Sequence, residues 1–336
     1  MLKKHLILPV SLFVSAFGIT TPLQAQFWTN QIADPVVVQI GTGATTVSGT
    51  GYTTTLKHFL AGVPSQAVPF STASFLNTGA SGSLVLSASA TSEGNLTNSV
   101  DRNYVVMAGY EAATGTAQVN GATANANRVI GFANVAPFVG LTGTTTTAYP
   151  GAQATNYNTN NVRSAVSTGG PSSDAWTGGT GTTATTAGVR YQTTTQVSST
   201  STNVRSVDIY NNQLFTTSAS GAFVGVNSVG VGTPTSSGAV ISLMIATGTG
   251  SSPYEYAAYN DPNGNQTNLT ASFGLNRVYV ADDRTTINAA GATGGIQRWS
   301  WNGTTWILDY TLNDNVPAPP TGTSPVIGGA WVIWLP

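Results

Sequence analysis

Asp282 and Asp283 form the most conspicuous acidic pair in the sequence. Two carboxylates can divide the work of glycoside hydrolysis when both line one cleft. Successive residues of an extended strand point to opposite faces, so this pair cannot do so if the segment stays extended. One of the two is expected to accept turn or sheet-to-sheet hydrogen bonds instead. Asp261-Pro262-Asn263-Gly264-Asn265 offers oxygens at alternate positions, as calcium loops do. Its Gly is misplaced for an EF-hand, and no Glu follows at the twelfth position, so an Asx-rich turn is expected.

Five of the seven tryptophans follow Arg298: Trp299, Trp301, Trp306, Trp331 and Trp334. Exposed, Trp299, Trp301 and Trp306 would suit sugar stacking or a protein hot spot, and these three are the candidate binding residues. Buried, they are packing between sheets. Serine is abundant, yet no G-x-S-x-G occurs, and His58 is the one imidazole base outside the leader described below. Its neighbours Lys57 and Phe59 predict a strand residue at the surface. Gly41–Gly43 lacks the G-x-x-x-x-G-K-[ST] context of a phosphate loop and reads as a turn. With no cysteine and one such histidine, thiolate metal sites, Fe–S clusters, cysteine nucleophiles and paired imidazole ligands are excluded. No metal and no cofactor is expected.

The elements that would hold these residues are strands. Short β-branched or aromatic runs recur at Val36–Ile40, Leu84–Leu86, Tyr104–Met107, Val129–Phe132, Val204–Tyr210, Gln213–Thr217, Ala222–Val226, Val240–Ile245 and Val278–Val280, with Gly, Asn, Ser and Pro between them. That pattern predicts an all-β sandwich, barrel or propeller. Ile296–Trp301, the turn signal Asn302-Gly303 and Trp306–Leu312 read as a hairpin. The polar stretches 141–161 and 177–187 read as long surface loops.

The first 25 residues read as a secretory leader: Lys3 and Lys4, an apolar run Leu6–Ile19, and Leu23-Gln24-Ala25 before cleavage at Gln26. The apolar stretch falls short of the roughly 20 residues of a membrane span, and no later stretch reaches that length. Without Lys3 and Lys4, nine basic residues face 12 acidic ones, a net charge of −3. Arg128, Arg163, Arg190, Arg205 and Arg277 are scattered, so a nucleic-acid partner, which needs clustered cations, is not expected. Only 7% of the chain is charged, against about a quarter in ordinary domains, so long-range steering of charged partners should be weak.

A repeat narrows the architecture. Asn161-Val162-Arg163-Ser164-Ala165-Val166 and Asn203-Val204-Arg205-Ser206-Val207-Asp208 are near copies 42 residues apart. Asp174–Thr177 and Gln213–Thr217 follow as second strands, then Gly188–Tyr191 and Gly221–Val224 as third ones. A unit near 42 residues made of three or four strands has the size of a propeller blade. Asn103–Tyr110 with Arg128–Phe132, and Arg277–Asp283 with Gly295–Tyr310, read as an earlier and a later unit.

The strings Ala90–Thr97, Tyr104–Gly115, Asn161–Ala165, Asn203–Val224 and Val278–Ser300, in that order, resemble secreted bacterial β-propeller proteins of unassigned function. The resemblance spans most of Asp34–Pro336. It implies architecture and carries no catalytic signature. It also implies further strands, so the ring is expected either to be closed by Ala330–Leu335 pairing near Val36–Ile40 or to stay open. The chain is thus expected to be a signal peptide (1–25) and one β-propeller-like domain (26–336). The expected product is a secreted, non-enzymatic binding module of the cell surface, extracellular space or periplasm, with a glycan or surface protein as partner. The alternative is a carbohydrate-active propeller, a glycoside hydrolase or lyase, using Glu93, Glu111, Asp174, Asp208 and Asp282 around a channel.

Overall fold

A computed structural model of the chain describes residues 36–41, 49–59, 71–74, 83–87, 92–121, 124, 126–136, 140–148, 155–284 and 294–312. The leader expected at 1–25 and the terminal segment Ala330–Leu335, with Trp331 and Trp334, lie outside the described residues. The protein is all-β and antiparallel, its strands joined into four sheets among the described residues. No helix among them is long and apolar enough to cross a membrane.

The first sheet holds β1 (Val36–Ile40), β2 (Tyr52–His58), β3 (Ser71–Ser74), β4 (Ser83–Leu86), β5 (Leu96–Asn98), β6 (Tyr104–Ala112), β7 (Asn127–Ala136) and β8 (Gly140–Ala148). Its order is β1-β2-β4-β6-β7-β8, with β3 beside β2 and β5 beside β6. Strands β4 and β5 share one edge of β6, pairing with Tyr110–Ala112 and Val105–Met107 respectively. Strand β8 is a correction to the loop expected over 141–161. Its run Gly-Leu-Thr-Gly-Thr-Thr-Thr-Thr-Ala pairs with β7 along its length. Threonine is β-branched, and a ladder is held by backbone groups, so low hydrophobicity does not prevent a strand.

Three meanders of four strands follow. The second sheet runs β9 (Val162–Ser167), β10 (Ala175–Gly179), β11 (Gly188–Tyr191), β12 (Thr195–Ser198). The third runs β13 (Val204–Tyr210), β14 (Gln213–Ser218), β15 (Gly225–Val229), β16 (Ile241–Ala246). The fourth runs β17 (Pro253–Tyr259), β18 (Arg277–Asp282), β19 (Gly295–Trp301), β20 (Trp306–Leu312). The two Asn-Val-Arg-Ser strings therefore open successive sheets. Thr177–Gly179 belongs to β10, so the expected loop over 177–187 begins only afterwards. Gly221–Phe223, expected as a third strand, is a 3-10 turn, and the third strand starts at Gly225.

Local chemistry explains the hairpins. Asn211 and Asn212 both adopt positive φ (49° and 60°) between β13 and β14, the twist a two-residue hairpin loop requires. Asn302 Oδ1 accepts the backbone N–H of Thr304 (2.9 Å) and of Thr305 (2.8 Å), closing the β19–β20 turn. Gly178 lies where a Cβ would sit 2.5 Å from Val204 Cγ1 and 2.8 Å from Val207 Cγ1, so β10 and β13 approach as closely as glycine permits.

The sheets pack through their opening strands. Strand β9 lies on β5 and β6, β13 on β9 and β10, and β17 on β13 and β14. Hydrogen bonds stitch these seams. Asn95 N–H donates to Arg163 O (3.2 Å), Val100 N–H to Ser167 O (2.9 Å), and Thr217 Oγ1 to Tyr254 O (3.0 Å). Asn95 also reaches a sheet further, its Nδ2 donating to Arg205 O (3.1 Å). Apolar clusters fill the interiors. One joins Val106, Tyr110, Phe132 and Val162 across the first two sheets; another joins Phe215, Ile245, Val278, Trp299, Trp301 and Trp306 across the last two.

Candidate functional site

Trp299, Trp301 and Trp306 are all buried and belong to the core between the third and fourth sheets. They do not form the exposed platform considered from the sequence. Trp299 Nε1 donates to Gln297 Oε1 (3.0 Å) and Trp301 Nε1 to Thr267 O (3.1 Å). Trp301 and Trp306 are cross-strand partners with ring centroids 5.7 Å apart. Their remaining edges line a cleft of about 240 Å³ between β15–β16 and the tip of the β19–β20 hairpin. Leu243, Met244, Ala271 and Phe273 supply the rest of its apolar wall, and Ser228, Ser242, Thr304 and Thr305 bring hydroxyl-bearing side chains. No charged residue lines it. The volume is below the roughly 300–1,000 Å³ of drug-sized sites, which limits it to about one ring-sized group.

The carboxylates considered for hydrolysis do not converge. Glu93 is buried in the seam of the first two sheets, where Oε1 accepts from Ser87 Oγ (2.7 Å), Tyr110 Oη (2.9 Å) and Asn161 Nδ2. Tyr110 is held protonated far beyond its usual range by burial first and the Glu93 charge second. Arg128, fully buried, stacks 5.1 Å from the Tyr110 ring and donates to Ala126 O (2.7 Å) and Asn120 O (2.8 Å). Glu111 accepts from Asn127 Nδ2 (3.0 Å), and Asp174 from the exposed Tyr191 hydroxyl (2.6 Å).

Asp282 is buried and fully engaged. It accepts from Ser251 Oγ (2.8 Å), Ser252 N–H (2.9 Å), Gln297 Nε2 (3.0 Å) and Arg284 Nε (2.7 Å), and Arg284 Nη2 completes an ion pair. Asp283 turns outward, 3.6 Å from Arg205 Nη1. The adjacent pair is thus split between two faces, as strand geometry dictates. Arg163 and Arg205, the arginines of the two similar strings, occupy neighbouring opening strands. Arg163, pushed down to about 10 by burial and by Arg205, donates to Asn203 Oδ1. Arg205 donates to Ser252 Oγ (2.6 Å) and lies 4.4 Å from the Tyr254 ring centroid. Comparison with family models gives no match to this chain. No curated protein and no solved structure matches it either.

Two further expectations resolve locally. His58 lies on β2 but is buried, paired with Val36 and Ser71, and so is not the surface residue its charged neighbour implied. The Asp261–Asn265 loop is an Asx turn. Asn263 N–H donates to Asp261 Oδ1 (2.9 Å), while Asn276 Nδ2 donates to Asp261 O (2.8 Å) and Asn265 O (3.1 Å). Asp261 Oδ2 pairs with Arg277 Nε at 3.3 Å.

Asp208 is the remaining carboxylate, and it has a neighbour that sequence reasoning missed. Glu255 on β17 faces it across the third seam, and both are partly buried. Burial pushes Asp208 up to about 7, against the hydrogen bond from Ile209 N–H (2.7 Å) and the nearby Tyr210 hydroxyl, which favour the anion. Burial and then the Asp208 charge push Glu255 up to about 8. Nothing in Tyr254-Glu255-Tyr256 singles out Glu255. Only the packing of β17 on β13 reveals it.

Proposed function

We propose that this protein is a secreted, non-enzymatic, β-propeller-like interaction module of the cell surface, extracellular space or periplasm. Its ligand is a neutral hydroxylated group such as a glycan terminus or the polar-aromatic surface of a partner protein. The observation that carries this reading is the cleft at Trp301 and Trp306. It joins apolar walls to hydroxyl-bearing side chains and has no charged lining residue. Aromatic edges and aliphatic walls suit the C–H faces of a sugar, and hydroxyls exchange hydrogen bonds with its own. Successive four-stranded meanders packed through their opening strands support the propeller description, since each resembles a blade in strand number and order. The engagement of Glu93, Glu111, Asp174 and Asp282 in internal contacts weighs against the hydrolytic alternative.

The test is a glycan array probed with the full chain, followed by calorimetric titration of each hit against wild type and Leu243→Asp. Leu243 is 41% exposed at the cleft, so the variant should keep its stability within about 0.5 kcal/mol. Expected is binding to uncharged glycans that weakens at least tenfold in the variant. An array without hits, or equal binding by the variant, overturns the assignment of this cleft.

A further inference from the structure

The seam between the third and fourth sheets contains an acidic pair that the proposed ligand cleft does not use. Asp208 lies on β13 and Glu255 on β17, which pack directly on one another. Strand β17 is irregular at Glu255, whereas Asp208 sits just past an irregularity of β13, in regular pairing with Phe215. The β13–β14 register shifts between Val204 and Val207, and the β17–β18 register shifts between Pro253 and Tyr256. A bulge re-aims side chains that a regular strand would send to the opposite face. Glu255 and Tyr256 are sequence neighbours, yet both interact electrostatically with Asp208.

No cation compensates the pair among the described residues. Tyr210 sits beside both carboxyls and donates to Tyr256 O (3.3 Å), and its ring lies 5.7 Å from that of Tyr256. The Ser206 hydroxyl lies beside Glu255 and favours its anion, and Thr217 of β14 is engaged by Ser206 and Tyr254 O. On the surrounding strands, Arg163, Arg205, Arg190 and Arg277 are turned to Asn203, to Ser252 and Asp283, to Thr185 and Thr194, and to Asp261. Asp282 of β18 is neutralised by Arg284. Glu255 Oε2 is enclosed without a hydrogen-bond partner. Two ionised carboxylates on these packed strands would repel each other.

We propose that Asp208 and Glu255 form a pH-sensitive lock on this seam, closed when both carboxyls are protonated and loosened when both ionise. The sign follows from proton linkage. Both groups hold protons more tightly in the folded chain than their unfolded values of roughly 3.9 and 4.3. Their contribution to stability is complete below about pH 4, declines as the pH rises, and is gone once it passes the folded values of about 7 and 8. Ionisation sends two protons to solvent and leaves two negative charges across β13 and β17. The lock makes no demand on the ligand cleft and stands or falls without it.

The experiment is thermal unfolding of the full chain at about pH 6 and about pH 9, for wild type, Asp208→Asn, Glu255→Gln and the double variant. Hydrogen exchange, corrected for intrinsic rates, is read at the same two pH values. The wild-type Tm should fall by on the order of 5–10 °C, and the double variant should lose at least half of that fall. Protection should drop in β13 and β17 and hold in β9–β12. A double variant that falls as far as wild type, or protection lost equally in both sheets, overturns the proposal. If the variants do not fold, infrared titration of the wild type decides. A protonated-carboxyl band present near pH 6 and lost by about pH 9 upholds the lock, and no such band near pH 6 refutes it.

Discussion

Replacing Glu93 by alanine removes the acceptor around which the first two sheets meet. Three donors, Ser87 Oγ, Tyr110 Oη and Asn161 Nδ2, converge on Oε1, and the residue is 1% exposed, so water cannot take its place without a rearrangement. Arg128, itself fully buried, loses a carboxylate whose charge favours its ionised form. A hydrogen bond to a charged group contributes about 1.5–3 kcal/mol, but three on one oxygen are not additive. Removing one member of a buried charged set costs about 3–5 kcal/mol, the figure expected for Glu93→Ala. Glu93→Gln keeps an acceptor oxygen and loses the charge, so about half that cost is expected. At about 2–4 °C per kcal/mol, the alanine variant should melt some 6–20 °C below wild type. Scanning calorimetry with urea titration measures this, and a cycle with Tyr110→Phe should give a coupling of about 0.5–3 kcal/mol. A loss under 1 kcal/mol for Glu93→Ala, or no coupling to Tyr110, refutes the reasoning.

Two other substitutions probe the seams and the surface. Gly178→Ala places a methyl against Val204 and Val207 and should cost about 1–3 kcal/mol by urea unfolding; a neutral result would mean β10 and β13 are not in close contact. Tyr191→Phe removes an exposed hydrogen bond to Asp174 and should change stability by less than about 0.5 kcal/mol, so a larger loss would show that contact to be shielded from water.

The strands most easily read from sequence were those whose side chains enter a core. Val36–Ile40, Val204–Tyr210 and the Ile296–Trp301/Trp306–Leu312 hairpin carry the β-branched and aromatic residues that burial selects. Strands β8 and β12 are rich in Thr, Gln and Ser and join by backbone pairing, so composition conceals them. The eight-stranded first sheet was equally hidden. Its connectivity places β4 and β5 on the same edge of β6, a tertiary choice with no local signature. At the candidate sites, the sequence pointed to Trp301 and Trp306 and to packing between sheets as one of their two fates, and the structure buries them; the cleft they edge depends on the facing β15–β16 pair. Asp208 was visible as a carboxylate, whereas Glu255 required knowing that β17 packs on β13.

The seams along the opening strands make the described chain a stack in which each sheet touches chiefly its sequence neighbours, with Asn95 reaching to Arg205 as an exception. Such a stack behaves as a row of coupled switches, each sheet stabilised by its own packing and by the interface to the next. Its cooperativity is then set by the weakest interface, not by total buried area. An interface weakened by ionised carboxylates would let the fourth sheet open while β9–β12 stays shut. Denaturant curves would broaden with rising pH before their midpoint moved far, and a force applied along the chain would release sheets one at a time.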